Sequence, residues 1–130
     1  MKISTVGGSV LLCLLAAISS AAQEQKKPDP CENAQTTVEM RDCAGKEYEA
    51  ADAELNKAYQ QLMSKLDDEG HKTALKEAQL AWIKYRDANC DFESYLNRGG
   101  TIYPIVNAGC RTGMTINRTK ELQEMLTAER

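Results

Sequence analysis

"AQLAWIKYRDANC", residues 78–90, decides the fold. Gln79, Trp82 and Arg86 lie three and four residues apart, which puts them on one stripe if the segment is helical. An amphipathic helix turns such a stripe inward, so a glutamine and an arginine join the chain's single tryptophan in the interior. At about 100° per residue the inward arc holds Ala78, Tyr85, Asn89, Trp82, Leu75, Arg86, Gln79, Cys90 and Ile83, roughly half the circumference. Lys76, Glu77, Lys84, Asp87 and Asp91 take the other half. An arc that wide predicts a helix packed against two neighbours. Within it Gln79 and Arg86 need partners, because an unpaired buried charge costs several kcal/mol.

The neighbours follow from the same periodicity. Thr36 with Glu39 three residues later forms a capping-box start, and Met40, Ala44, Tyr48, Ala51, Leu55, Tyr59, Leu62 and Leu66 then keep helical spacing. "DDEGH" at 67–71 ends this first helix. The second runs from about Lys72 to Leu96, and "NRGGT" at 97–101 breaks it. Thr101 is placed to cap a third helix, where Pro104 is tolerated because first-turn amides lack intrahelical acceptors. Ile102, Val106, Cys110, Met114, Leu122, Met125 and Leu126 fit that helix less cleanly, and Gly109 and Gly113 argue against an unbroken one. Strand signals of comparable length and internal repeats are absent from the sequence. The fold class is therefore all-α, a small antiparallel bundle of three main helices.

If the first two helices form a hairpin turning near Glu69, residues whose numbers sum to about 138 lie level. Asp52 then faces Arg86, Asn56 faces Trp82, and Tyr59 faces Gln79. The polar residues of the opening stretch read as a matched ladder, one ion pair and two hydrogen-bonding pairs, that fixes the register. A catalytic reading needs a second acid, nucleophile or base at a compatible position, and none can be named.

The compartment follows from the ends of the chain and from its cysteines. Residues 1–22 read as a secretory signal: Lys2, the apolar run "VLLCLLAAI" from Val10, then "SSAA". The run is shorter than the roughly 20 apolar residues of a spanning helix. Leu12 stands where a lipoprotein has a small residue before its cysteine, so Cys13 is expected to leave with the signal. Residues 23–35 form a polar, proline-bearing arm, and 36–130 the helical domain. Without the leader the chain has 15 Lys+Arg, the 16 of the whole less Lys2, against 19 Asp+Glu, a net charge of −4. That balance argues against nucleic acid or anionic membrane and suits a basic protein partner.

Four cysteines behind an export signal read as two disulfides, with three pairings open by count alone. Register narrows them. Cys90 and Cys110 sit about ten residues either side of the "GGT" break, so antiparallel second and third helices bring them level. Cys43 projects away from its helix's inward stripe, where Cys31 of the arm can reach it. Cys31–Cys43 and Cys90–Cys110 are the expected bridges, stapling a domain small enough to profit from them. A metal or cofactor is not expected: C-x-x-C is absent, and the single histidine, His71, sits in a polar turn.

Several of these segments carry a resemblance. "AADAELNKAY" (50–59), "LKEAQLAWIKYRDANC" (75–90), "GGTIYPIVNAGC" (99–110) and "MTINRTKEL" (114–122) resemble the signature segments of the LprI-like lysozyme inhibitor family of exported bacterial proteins. The likeness runs from Cys31 to Leu126, and joins four cysteines to D-x-x-x-N-x-x-Y and Q-x-x-W-x-x-x-R. It implies a small helical, disulfide-bonded domain in the periplasm or secreted, and inhibition of a lysozyme. The chain departs from the lipoprotein members at Leu12.

Two functional classes result. One is a binding protein that occupies a muramidase cleft. Such a cleft carries carboxylates, and "NRGGTIY" offers Arg98, the backbone at Gly99 and Gly100, Thr101 and Tyr103 to meet them. The same residues also serve a plain turn, with glycine after one helix and threonine capping the next. The other class is a cell-wall hydrolase using Asp52 or Glu93, disfavoured because neither has a definable second carboxylate. A non-enzymatic periplasmic or stress-related interaction module is the alternative to the inhibitor.

Overall fold

The computed structural model describes residues 31–128. The expected leader and residues 23–30 of the arm lie outside them. Three helices fill most of this span: α1 (Thr37–Lys65), α2 (Glu69–Glu93) and α3 (Tyr103–Thr127), with a 3₁₀ turn at Tyr95–Asn97. No strand occurs among the described residues. Both bridges form as expected, Cys31–Cys43 and Cys90–Cys110, each with Cα atoms 5.6 Å apart.

α1 starts where its capping box predicts. The Thr36 hydroxyl accepts from Glu39 N, and the Glu39 carboxylate accepts from the amides of Thr36 and Gln35. Those amides, Thr36 first, hold the Glu39 carboxyl below the usual carboxylate range. α2 begins three residues earlier than the periodicity suggests, because Asp68 serves as its N-cap and accepts from His71 N at 2.7 Å. His71 thus stands exposed in the first turn of a helix rather than in a loop. The connection shrinks to Leu66–Asp68, which shifts every level pair of the first two helices by about one turn.

The pairing of helices also differs from the expected hairpin. α1 and α3 make the closest backbone approach, and they run parallel: Lys65 Nζ donates to Leu126 O at one end. Small side chains explain the closeness. Ala44, Ala51 and Ala58 of α1 are buried, as are Thr115 and Thr119 of α3, so the two backbones can come together. α2 runs antiparallel to both, and touches them through longer side chains. The apolar core gathers Leu55, Ala58, Leu62 and Leu122, with Tyr59, Leu75, Trp82 and Leu126 packed on it.

The inward arc of α2 is consequently narrower than predicted. Gln79, Arg86 and Cys90 are buried, and Leu75, Trp82, Ile83 and Asn89 half-buried, but Ala78 is exposed and Tyr85 is 60% exposed. The Cys90–Cys110 bond centres the stripe on Cys90, which turns Tyr85 outward. α3 is continuous through Gly109 and Gly113, whose faces are exposed and open. Burial of Thr115, Thr119 and Leu122 outweighs the roughly 1 kcal/mol that each glycine costs a helix. Thr101 is not the cap of α3; Ile102 takes that position with no side-chain cap, and Pro104 falls in the first turn.

Candidate functional site

The opening stripe forms the middle of the bundle. The Arg86 guanidinium lies over two rings, Trp82 at 5.3 Å and Tyr48 at 5.4 Å to the centroid, and Arg118 of α3 approaches Trp82 from 5.9 Å. Cations placed over aromatic faces gain from the ring quadrupole, most where water is excluded. Arg86 Nε donates to Asp87 Oδ1 at 2.9 Å, and Nη1 donates to Thr115 Oγ1 at 3.3 Å. Asp52 Oδ1 stands 3.7 Å from Arg86 Nη1.

The other two rungs are arranged differently from the sequence reading. Asn56 is exposed and donates to Asp52 of its own helix, while Tyr59 packs against the apolar core. Gln79 accepts from Arg118 Nε at 3.1 Å, and Arg118 also donates to Glu121. The shorter α1–α2 connection explains the change, since Arg86 is level with Tyr48 and reaches Asp52 one turn further along. Tyr48, Asp87, Thr115 and Arg118 were not assigned to this cluster from sequence. Arg118 was accessible to such reasoning, lying in "MTINRTKEL" beside the buried Thr119. The cluster joins the three helices through Arg86, whose Nε and Nη1 donate to Asp87 and Thr115, and through Arg118 on Gln79. Glu93, the other carboxylate considered for a hydrolase, is exposed and accepts from Asn89 Nδ2 at 2.7 Å.

The corner between α2 and α3 has a different character. Cys90, fully buried, is bonded to Cys110, and Met114 Sδ packs 3.6 Å from its sulfur. Ser94 is equally buried: its hydroxyl donates to Cys90 O and accepts from Asn107 Nδ2. Asn107 Nδ2 also donates to Asp91 Oδ1, which the Tyr103 hydroxyl reaches from 3.4 Å. Tyr103 is therefore half-buried and braces the corner, rather than standing out from it.

Arg98, Gly99, Gly100 and Thr101 are all exposed. Gly99 has φ +79°, a left-handed conformation that glycine alone adopts cheaply. The Gly100 amide donates to Asn97 O, whereas the amides of Gly99 and Thr101 have no acceptor among the described residues. The Arg98 guanidinium lies 4.7 Å from the Tyr95 ring centroid and forms no side-chain hydrogen bond among those residues. The five residues proposed from sequence are thus contiguous in space, but four are presented and one supports. Among the described residues no cluster suited to a metal ion occurs, and no helix is long and apolar enough to cross a membrane.

Comparison with known proteins places the chain in a family. Residues 29–122 match the model of a family described as Lysozyme inhibitor LprI. An uncharacterized protein of Rhizobium meliloti (strain 1021) is 36% identical over 138 residues, covering 97% of this chain and 96% of its own length. No solved structure matches the chain.

Proposed function

The chain belongs to the lysozyme inhibitor LprI family, and from that premise we propose that it is an exported envelope protein that blocks a muramidase by occupying its cleft. Its leader, residues 1–22, is removed on export. The helical domain, 36–130, then acts in the periplasm or outside the cell by binding alone. Two disulfides suit that oxidising compartment.

One observation carries the reading. The corner at Arg98–Thr101 offers an arginine and two uncommitted amides on a frame held by Cys90–Cys110 and the Ser94–Asn107–Asp91 hydrogen bonds. Muramidase clefts hold paired carboxylates, which arginine and backbone N–H groups recognise with charge-assisted hydrogen bonds. A rigid frame limits the ordering cost of binding.

The test is inhibition of purified lysozymes of several structural types by the mature protein. Stoichiometric slowing of one of them, with no peptidoglycan turnover by the protein itself, is the expected result. Replacing Arg98 and Thr101 together by Ala should weaken that inhibition at least tenfold, about 1.4 kcal/mol, at an unchanged helical signal. Hydrolysis of peptidoglycan by the protein alone, or inhibition indifferent to both substitutions, overturns the reading.

A further inference from the structure

Resting on that reading, we propose that Phe92, Tyr95 and Leu96 are the apolar half of the inhibitory surface, and that the occupant they fit is the lip of an acidic muramidase cleft. These residues are 79%, 57% and 94% exposed, in a segment whose inward residues, Cys90 and Ser94, are fully buried. Together with Glu93 they line a shallow open depression. A phenylalanine and a leucine both more than three-quarters exposed within five residues are a concentration of apolar surface. Leu80, Tyr85, Ile102, Ile116 and Met125, the other large apolar residues exposed on α2, on α3 and at its N-cap, all lie six residues or more from it in sequence. Single exposed apolar residues are ordinary, whereas contiguous ones mark an interaction surface.

The frame beneath explains why these side chains stay outside. The disulfide at Cys90, the Ser94 hydroxyl on Cys90 O and the Asn107 amide on Ser94 fix the segment at two residues, Cys90 and Ser94, on the side away from Phe92 and Leu96. Arg98 N donates to Tyr95 O and closes the 3₁₀ turn. Phe92 and Leu96 cannot fold inward without breaking these bonds, so their exposure is built into the corner. Side chains held in this way lose little freedom on binding, and aromatic residues and arginine dominate the energetics of interfaces.

The proposed function supplies the occupant, and the charge around the ledge is mixed: the Glu93 carboxylate, held by Asn89 Nδ2, lines the depression, while Arg98 stands at its margin. The Arg98 guanidinium lies over the Tyr95 ring, at the edge of the apolar residues. Stacking leaves the N–H edge of the guanidinium available to a carboxylate. An arginine at the margin of an apolar ledge complements a pocket whose walls are apolar and whose floor is acidic. A muramidase cleft combines both, with sugar-binding walls beside its catalytic carboxylates. A partner lacking the acidic floor would use the ledge but gain nothing from Arg98.

The test uses the full mature chain and the lysozyme that it inhibits most strongly. Phe92→Ser with Leu96→Ser should raise the inhibition constant at least tenfold while the unfolding midpoint stays within a degree or so of wild type, because neither side chain is buried. The conservative pair Phe92→Leu with Leu96→Met should keep inhibition within about threefold. Leu80→Ser, on the same helix but away from the corner, should leave it unchanged. Undiminished inhibition by a folded Phe92→Ser/Leu96→Ser protein overturns the ledge and leaves the proposed function standing. Absence of inhibition by the wild-type chain across all lysozyme types overturns both. Loss by the serine pair without retention by the conservative pair points to folding of the corner, and also overturns the ledge as a contact.

Discussion

At one end of the bundle Leu55, Leu62 and Leu122 close on one another almost without contact with water; at the other, both disulfides and a set of side-chain hydrogen bonds hold the chain while Phe92 and Leu96 face outward. The first end is stable because it buries apolar surface, so its apolar residues are committed. The second is held by covalent bonds and by Ser94, Asn107 and Asp91. Phe92 and Leu96 of this end stay exposed. The same contrast separates two arginines. Arg86, with its side chain 5% exposed, lies over two rings and is matched by Asp87, Asp52 and Thr115. Arg98 lies over one ring, exposed. Arginine over an aromatic ring is structural where its remaining N–H groups are engaged, and available for a partner where they are not.

The comparison is sharpest when each end is damaged in turn. Leu122→Ala should cost about 3 kcal/mol through lost burial and a residual cavity, and removing the Cys90–Cys110 bridge as a double serine variant should cost a similar amount, about 3 kcal/mol for a loop of its length. Urea denaturation measures both. Affinity for lysozyme should fall only in the second, under conditions where both variants remain folded. Equal effects on binding would show that the two ends are not functionally distinct.

A smaller effect separates the arginines. Arg86→Met should destabilise by about 2 kcal/mol, from the lost buried hydrogen bonds and ring contacts. Asp52 and Asp87 stay partly hydrated, with side chains 40% and 39% exposed, so restoring charge balance with Asp52→Asn should recover little. Arg98→Met should change stability by no more than about 0.5 kcal/mol, as surface substitutions do. Comparable losses for the two arginines, measured by the same unfolding assay, would remove the distinction.

The smallest effect lies at the capping box of α1, beside the Cys31–Cys43 bridge. Glu39 is held below its ordinary range by the amides of Thr36 and Gln35, so its contribution to folding is present above the unfolded-state value, about 4.3. It is lost as pH falls through the lower folded value. Glu39→Gln should therefore lower the unfolding midpoint at pH 7 and have little effect at strongly acid pH. A difference that persists undiminished into acid would assign the effect to helix propensity instead.

Much of the molecule could be read from residues close in sequence. The capping box at Thr36 and Glu39, the helical spacing of Leu55, Leu62 and Leu66, and the turn at Gly99 are local features, and local sterics and hydrogen bonding decide them. The Cys90–Cys110 bridge followed from the position of one break, and Cys31–Cys43 from Cys43 projecting off its helix's inward stripe toward the arm. The candidate corner was legible to the same degree: "NRGG" announces a turn and a cation, although whether Tyr103 is presented or half-buried depends on Asp91, twelve residues away. Phe92 and Leu96 escaped notice because an apolar residue at a helix end is ordinarily taken as core. Their exposure depends on where α3 leaves the corner.

What sequence determined by itself was the number of helices, their approximate limits, the staples and the inward stripe Gln79–Trp82–Arg86, since periodicity and spacing are properties of one chain segment at a time. Tertiary structure decided which helices touch and which polar groups meet. α1 pairs closely with α3 because alanines and threonines let their backbones approach. The shorter connection at Leu66–Asp68 moves Arg86 level with Tyr48, and Arg118 arrives from α3 to take the hydrogen bond of Gln79. Such choices depend on the summed fit of three surfaces, which no single periodicity encodes.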